Sequence, residues 1–382
     1  RLFCIKKDLN FNIVFIFNML QRYKIVFLNE NIGLKRYQAR CILHNFALRM
    51  APIRRGILMM NMQIRMFVRQ WTLAISMIAG ISSYFILRWL PLGNDAHNLM
   101  LQGVHIVQPI LIFLMLFLTF CRVHPSQLRL SRWQIWNLLL QTGMFLLLCL
   151  LLIIFPETSF RVEIEGALLC FICPTATAAV VVTSKLGGRA GTTTTYTLLI
   201  NLCVAILVPL LVPAVHPQQG MTFTHAFCVV LSKVFPLLLC PIIAAELLRR
   251  ISPSITSRLA SYRDLPFHLW AIALALALAV TTRSLINSHV SVGVAAGVAV
   301  ASLLACIIQF GMGRMAGSKY GDPISAAQSC GQKNTVFAIW MGYTFLTPVT
   351  SLAGGFYSIW HNVYNSWQLA QMKKKNTDAG AK

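Results

Sequence analysis

The sequence predicts an all-α polytopic membrane protein, and three observations carry that prediction. Of 382 residues, 57% are hydrophobic and only 11% are charged, whereas a soluble domain carries about 25% charged residues. The apolar residues fall in runs of about 20, the length that crosses a bilayer as a helix. The basic residues sit in short clusters between those runs and at both ends, as the positive-inside rule produces. That placement makes the lipid bilayer the partner and argues against nucleic acid, despite a net charge of +23. No Gly-rich phosphate loop points to a nucleotide motor.

Residues 1–70 read as a leader or spurious N-terminal extension. The apolar stretch 9–28 is broken by Asn10, Asn12, Asn18, Gln21, Arg22 and Lys24, too polar for a span, and no signal-peptide cleavage site follows. Met50, Met59, Met60 and Met62 are candidate starts. The membrane domain is predicted over 71–370. Its spans fall at roughly 72–91, 103–121, 134–155, 166–182, 192–214, 226–248, 265–283, 290–313, 324–344 and 347–369, ten in all. A basic tail, 371–382, follows.

The loops test this count. Those on one side carry Arg122, Arg129 and Arg132, then Lys185 and Arg189, then Arg249, Arg250, Arg258 and Arg263, then Arg314 and Lys319. Those on the other side carry Asp95, Glu157, Glu163 and Glu165, with Arg161 and Arg283 as the main bases. The alternation predicts a multi-pass protein of the inner (cytoplasmic) membrane with both termini in the cytoplasm. The third to fifth spans precede the eighth to tenth by roughly 157 residues, which suggests two repeats, about 72–214 and about 226–369. Five helices is an odd number, so the second repeat must insert upside down, as in secondary transporters.

Two spans are interrupted at the same place in each half. The fourth reads "GALLCFICPTATAAVVVTSKLGG", with Pro174 followed by Thr175 and Thr177. Proline removes a backbone donor and clashes with the preceding turn. The ninth reads "ISAAQSCGQKNTVFAIWMGYTF", with Gly331 beside Gln332, Lys333, Asn334 and Thr335. Broken backbone at membrane depth survives only where protein or a watery cavity satisfies it, so paired breaks point to a substrate or ion site between the halves. The competing reading is a pair of structural kinks.

"CPTATAAVVVTSKLGGRAGTTTTYTLLINLCVAILVPLLVP" followed by "GQKNTVFAIWMGYTFLTPVTSLAGGFYSIWHNVYNSW", with "SKVFPLLLCPIIA" in the sixth span, resembles the bile acid:sodium symporter family, including its bacterial members, over about residues 70–370. The resemblance implies ten helices in two inverted five-helix repeats, with broken, crossing fourth and ninth helices and separate panel and core parts. It also implies organic-anion substrates typically driven by sodium. Several positions depart from the family's pattern. Thr175 and Ala176 stand where the family has Gly-Gly, Ala179 and Val180 where it has a Ser-Asn pair, Ser329 where it has a glutamate, and Lys333 where it has a glutamine. Thr193 and Thr197 match hydroxyl ligands, and Asn334 and Thr335 match the family's Asn-Ser. Both sodium sites are therefore expected to be dismantled, with the substrate cleft kept.

The expected function is secondary transport of a small organic anion by alternating access, without sodium or any other cofactor. Thr175, Thr177, Gln332, Asn334 and Thr335 are the candidate substrate residues. Lys333 is expected to stand in for sodium, with Thr193, Thr197 and Ser329 around it. Its ammonium would donate to the carbonyls exposed at the helix break and to Thr193, Thr197 or Thr335. Proton coupling is an extension of that reading, since burial disfavours a charged amine. The competing reading is a lysine that only reaches toward an aqueous cavity. A non-transporting receptor on the same fold is a second alternative. An intramembrane enzyme is a third, but no nucleophile–base pair or HExxH motif supports it. The substrate and the oligomeric state are not readable.

Other polar residues have structural readings. Cys170 and Cys173 form a CxxC read as packing, because no second ligand pair accompanies it. Glu246 is expected to pair with Arg249 and Arg250, Lys233 to reach toward the outer surface, and His268 and His361 to be hydrogen-bonded structural histidines. Trp360, Tyr364 and Trp367 fit an interfacial aromatic belt.

Overall fold

The computed structural model describes residues 74–90, 94–123, 128–217, 220–262, 265–287 and 291–380, with Thr72 and Ser126 beside them. The predicted leader, its candidate starts, Arg263 and the last two residues of the tail lie outside the described residues. In chain order the helices are α1 (Ala74–Trp89), α2 (Asn94–Arg122), α3 (Arg132–Ile154), α4 (Arg161–Ile172), α5 (Ala179–Lys185), α6 (Ala190–Val215) and α7 (Phe223–Ile251). They continue with α8 (Pro253–Ser261), α9 (Leu265–Asn287), α10 (Val292–Ser318), α11 (Pro323–Gly331), α12 (Thr335–Phe345) and α13 (Leu352–Gly380). Six of the described helices are long and apolar enough to cross a membrane. The chain is an all-α, multi-pass membrane protein.

Local chemistry sets the helix starts. Ser291 and Thr222 cap α10 and α7 through their hydroxyls, which accept from Val294 N and His225 N. Proline opens α8 and α11, where its missing N–H is not needed. Three boundaries differ from the sequence reading. α2 begins before the apolar run, and α13 continues to Gly380 through the basic segment, because hydropathy marks lipid contact and not helix length. The predicted loop between the sixth and seventh spans contains α8, too short and too polar to register as an apolar run. The predicted spans 166–182 and 324–344 are each two helices.

α3 shows how the core is sorted. Its buried face carries Trp133, Gln134, Asn137, Gln141, Phe145, Cys149 and Leu152 at helical spacing, while Leu139, Leu146, Leu150 and Ile153 are exposed. The polar side chains point inward and the leucines outward, since lipid accepts leucine and the amides need partners. α10 packs on α3, α4, α11 and α13; α4 also meets α3 and α13, and α11 also meets α5 and α6. Elsewhere α2 packs against α7, α8 and α9, and α1 approaches α9 so closely at Gly80 that a side chain there would strike the Ala275 carbonyl. α12 touches α2, α4, α9 and α13. Every residue from 325 to 342 is buried, so α11, the break and most of α12 run through protein, not lipid.

Candidate functional site

A steric bias favours the first break but does not suffice for it, since Pro109, Pro209, Pro213, Pro236 and Pro241 all lie inside helices. A residue before proline is pushed out of the helical region. Cys173 precedes Pro174 and is extended, with φ −52° and ψ 131°, so α4 stops at Ile172. The second break has a different cause from the one read off the sequence. Gly331 is the last helical residue of α11, not the break itself. It is glycine because a methyl group there would fall within the ring of Phe310. The chain then extends through Gln332 and turns into α12 at Asn334, whose Oδ1 accepts from Phe337 N at 3.3 Å.

The two extended stretches pair antiparallel, Thr175 opposite Lys333. Ala176 N donates to Gln332 O at 2.8 Å and Asn334 N donates to Pro174 O at 2.8 Å. Backbone groups freed at membrane depth thus satisfy each other. Side chains cap most of the remainder. Thr175 Oγ1 donates to Ser329 O at 2.6 Å, Tyr357 OH to Gly331 O at 2.7 Å, and the Cys173 thiol to Asn334 O at 2.9 Å. Gln141 Nε2 donates to Cys173 O at 3.1 Å and receives the Tyr196 hydroxyl on its Oε1 at 2.8 Å. Gln309 Nε2 reaches Cys170 O at 3.3 Å and the Tyr357 hydroxyl at 3.1 Å. Each half supplies a glutamine and a tyrosine to the crossing. The sequence reading missed all four, although Gln141 and Gln309 stand out as amides within apolar runs.

Thr175, Ser329, Gly331, Gln332, Lys333 and Asn334 meet at this crossing with Pro174, and Thr335 is buried at the start of α12. Thr177 is half-buried beside it, next to the exposed Ala178. Thr193 and Thr197 spend their hydroxyls elsewhere, Thr193 on Thr183 Oγ1 at 3.3 Å and Thr197 on Thr193 O at 2.9 Å. The partners expected for Lys333 are not there. Its side chain is 1% exposed and Nζ has no hydrogen-bond partner. The carbonyls it was expected to find are taken by Thr175, Tyr357 and Ala176 N. The Ser329 hydroxyl and Gln332 Oε1 are likewise buried without partners.

Two buried carboxylates tie the broken helices to the opposite half. Glu165, on α4 and 0% exposed, accepts from Arg161 Nε at 3.1 Å and Thr350 Oγ1 at 2.9 Å, with His216 Nδ1 at 3.4 Å. Asp322, capping α11, accepts from Trp133 Nε1 at 3.2 Å and lies 2.8 Å from Thr192 Oγ1. Glu165 had been read as a loop acid. Elsewhere Glu246 pairs with both Arg249 and Arg250. Lys233 is exposed and sits over the Phe345 ring at 5.6 Å. His361 is buried edge-on to Tyr357, and its Nδ1 has no partner. Trp367 is exposed as a belt residue would be, but Trp360 points inward and donates to Ser302 Oγ at 3.0 Å. No protein-family model and no curated protein matches the chain.

Proposed function

We propose that this chain is a secondary transporter of a small organic anion, built as two inverted five-helix repeats on the plan of the bile acid:sodium symporters. The observation that carries the reading is the antiparallel exchange at Thr175 and Lys333, where two interrupted helices satisfy each other's backbone inside the protein. Such breaks at the midplane are where transporters of this type hold cargo. The packing supports the repeat. α3 meets α4 and α6 as α10 meets α11 and α13, and α4 meets α10 and α13 as α11 meets α3 and α6. The Glu165–Thr350 and Asp322–Thr192 contacts follow the same exchange.

The reading includes a direction. The far end of α12 is held to α2 by the Tyr343 hydroxyl on Gln108 Oε1 at 2.6 Å and to α7 by Lys233 over Phe345, and beside it Ser351, just before α13, meets Thr281 of α9 at 3.5 Å. Along α5, by contrast, Val181, Ser184 and Lys185 are exposed, with Ala178 before them. With the basic loops inside, the conformation is closed to the outside and open toward the cytoplasm, and Thr177 marks the exposed side of the crossing. Sodium is not the coupling ion in this reading: Ala179 and Val180 offer no side-chain oxygen, and Ser329 stands in place of a carboxylate.

The test is uptake into proteoliposomes of bile acids, keto acids and simple carboxylates, with sodium, potassium or choline outside. Uptake of at least one anion, unchanged by the cation, is expected. Steep sodium dependence would overturn the coupling assignment, and binding without uptake of any anion would favour a receptor on the same fold.

A further inference from the structure

An ammonium inside a membrane protein needs acceptors or a counter-charge, because a bare buried charge is expensive and selected for a purpose. Lys333 receives neither from the described residues. Its Nζ is buried and unpartnered. Thr175, Tyr357, Ala176 and Thr335 already donate to the carbonyls of Ser329, Gly331, Gln332 and Lys333 itself. The ionisable side chains that act on the ammonium are the thiols of Cys330, Cys173, Cys170 and Cys306, with no carboxylate among them. The buried carboxylates are committed elsewhere, Glu165 to Arg161 and Thr350, Asp322 to Trp133 and Thr192.

Positive potential is added by the backbone. α12 starts two residues after Lys333, and its dipole favours negative charge there, although Asn334 Oδ1 and the Lys333 and Asn334 carbonyls already take the N–H groups of Phe337, Thr335 and Ala338. The Ser329 hydroxyl, one turn upstream, is a buried donor with no partner. We infer that Lys333 holds a small monovalent anion, either a halide or the carboxylate group of a larger molecule, at the junction of α4, α11 and α12. One ammonium and one hydroxyl donor suit a single negative charge. A phosphate or sulfate would need more and stronger donors, such as an arginine fork. The site does not depend on the chain being a transporter; within that reading, a carboxylate here would be the anchor of the cargo and a halide a resident co-ion.

Melting of the purified full chain in sodium isethionate, sulfate, chloride, bromide and acetate at equal ionic strength tests this. Chloride and bromide, or acetate, should raise the melting temperature over isethionate by about 5 °C at about a hundredfold excess over the dissociation constant. Stabilisation by acetate alone identifies a carboxylate site, and stabilisation by the halides a halide site. Lys333→Met should remove the response and Lys333→Arg should keep part of it. Equal melting of the wild-type protein in all five salts, or an undiminished response in Lys333→Met, overturns the inference. If Lys333→Met does not fold, wild-type crystals soaked in bromide, or in p-bromobenzoate where acetate is the responding salt, supply the readout. An anomalous peak within hydrogen-bond distance of Nζ is expected, and its absence at a stabilising concentration overturns the site.

Discussion

After the first break α5 runs for 7 residues and leaves Val181, Ser184 and Lys185 exposed. After the second, α12 runs for 11 residues, and only Tyr343 and Thr344 escape full burial. The backbone exchange between them is symmetrical, one N–H from each strand to a carbonyl of the other. The half-helices that follow are not. α12 presents Phe337, Trp340, Met341 and Phe345 to neighbours on several sides. α5 presents alanine, valines and a threonine and rests mainly on α6 and α11. The comparison teaches that the break is a backbone event, whereas the bulk of the following side chains decides which side of the crossing is locked.

Changes at the second break should therefore cost most. Gly331→Ala would drive a methyl group into the Phe310 ring. A loss of about 3 kcal/mol or more is expected, at the upper end of overpacking, read as loss of monodisperse protein. Gly331→Ala combined with Phe310→Leu should recover part of it. A Gly331→Ala variant with wild-type melting would break the distinction between the two sites.

The ties between the halves come next. Asp322→Ala leaves the Trp133 indole without its acceptor and the Thr192 hydroxyl with only the Arg189 carbonyl, and about 2–4 kcal/mol of destabilisation is expected. Asp322→Asn should cost less, because an amide oxygen can still accept. Thermal melts of the two variants measure the difference, and equal melting would show that the carboxylate carries no such tie.

Smaller effects should distinguish the locked end from the open one. Gln108→Ala removes the acceptor of the Tyr343 hydroxyl at a cost of about 1–2 kcal/mol. In the proposed closed state it should raise the labelling rate of a cysteine introduced at Phe345 by an impermeant reagent applied outside. An unchanged rate would show that the outer closure does not depend on that bond. At the other end, Thr177→Val should stay within about 0.5 kcal/mol of wild type in stability, since Thr177 is only half-buried, yet should reduce anion uptake. A stability loss like that of Asp322→Ala would make the two breaks equivalent and remove the asymmetry.

Much of the architecture was legible because it depends on short-range rules. Apolar run length located α3, α6, α7, α9 and α10 to within a few residues. The Cys173–Pro174 pair marked a candidate break, although other prolines such as Pro209 and Pro236 stay inside helices, and Asn334 is a natural helix cap wherever its chain turns. The reading of Lys333 as a backbone donor failed for a physical reason. The end of α11 offers few carbonyls, and Thr175 and Tyr357, from two distant segments, reach them first.

By itself the sequence determined that the chain is helical and that it lives in a membrane, and it marked Pro174 and Gly331 as candidate breaks. The first two follow from transfer into lipid, which acts over one run of residues; proline alone does not fix a break, since Pro209, Pro213, Pro236 and Pro241 stay inside helices. Only the tertiary structure decided that the breaks satisfy each other, that Gln141 and Gln309 face inward to cap them, that α12 is enclosed while α5 is not, and that Lys333 is left without a protein partner. Hydrogen-bond capacity is conserved across the whole molecule. Which donor reaches which acceptor depends on distances between segments that are 32 residues apart for Gln141 and Cys173 and 139 apart for Gln309 and Cys170, and no local pattern encodes those distances.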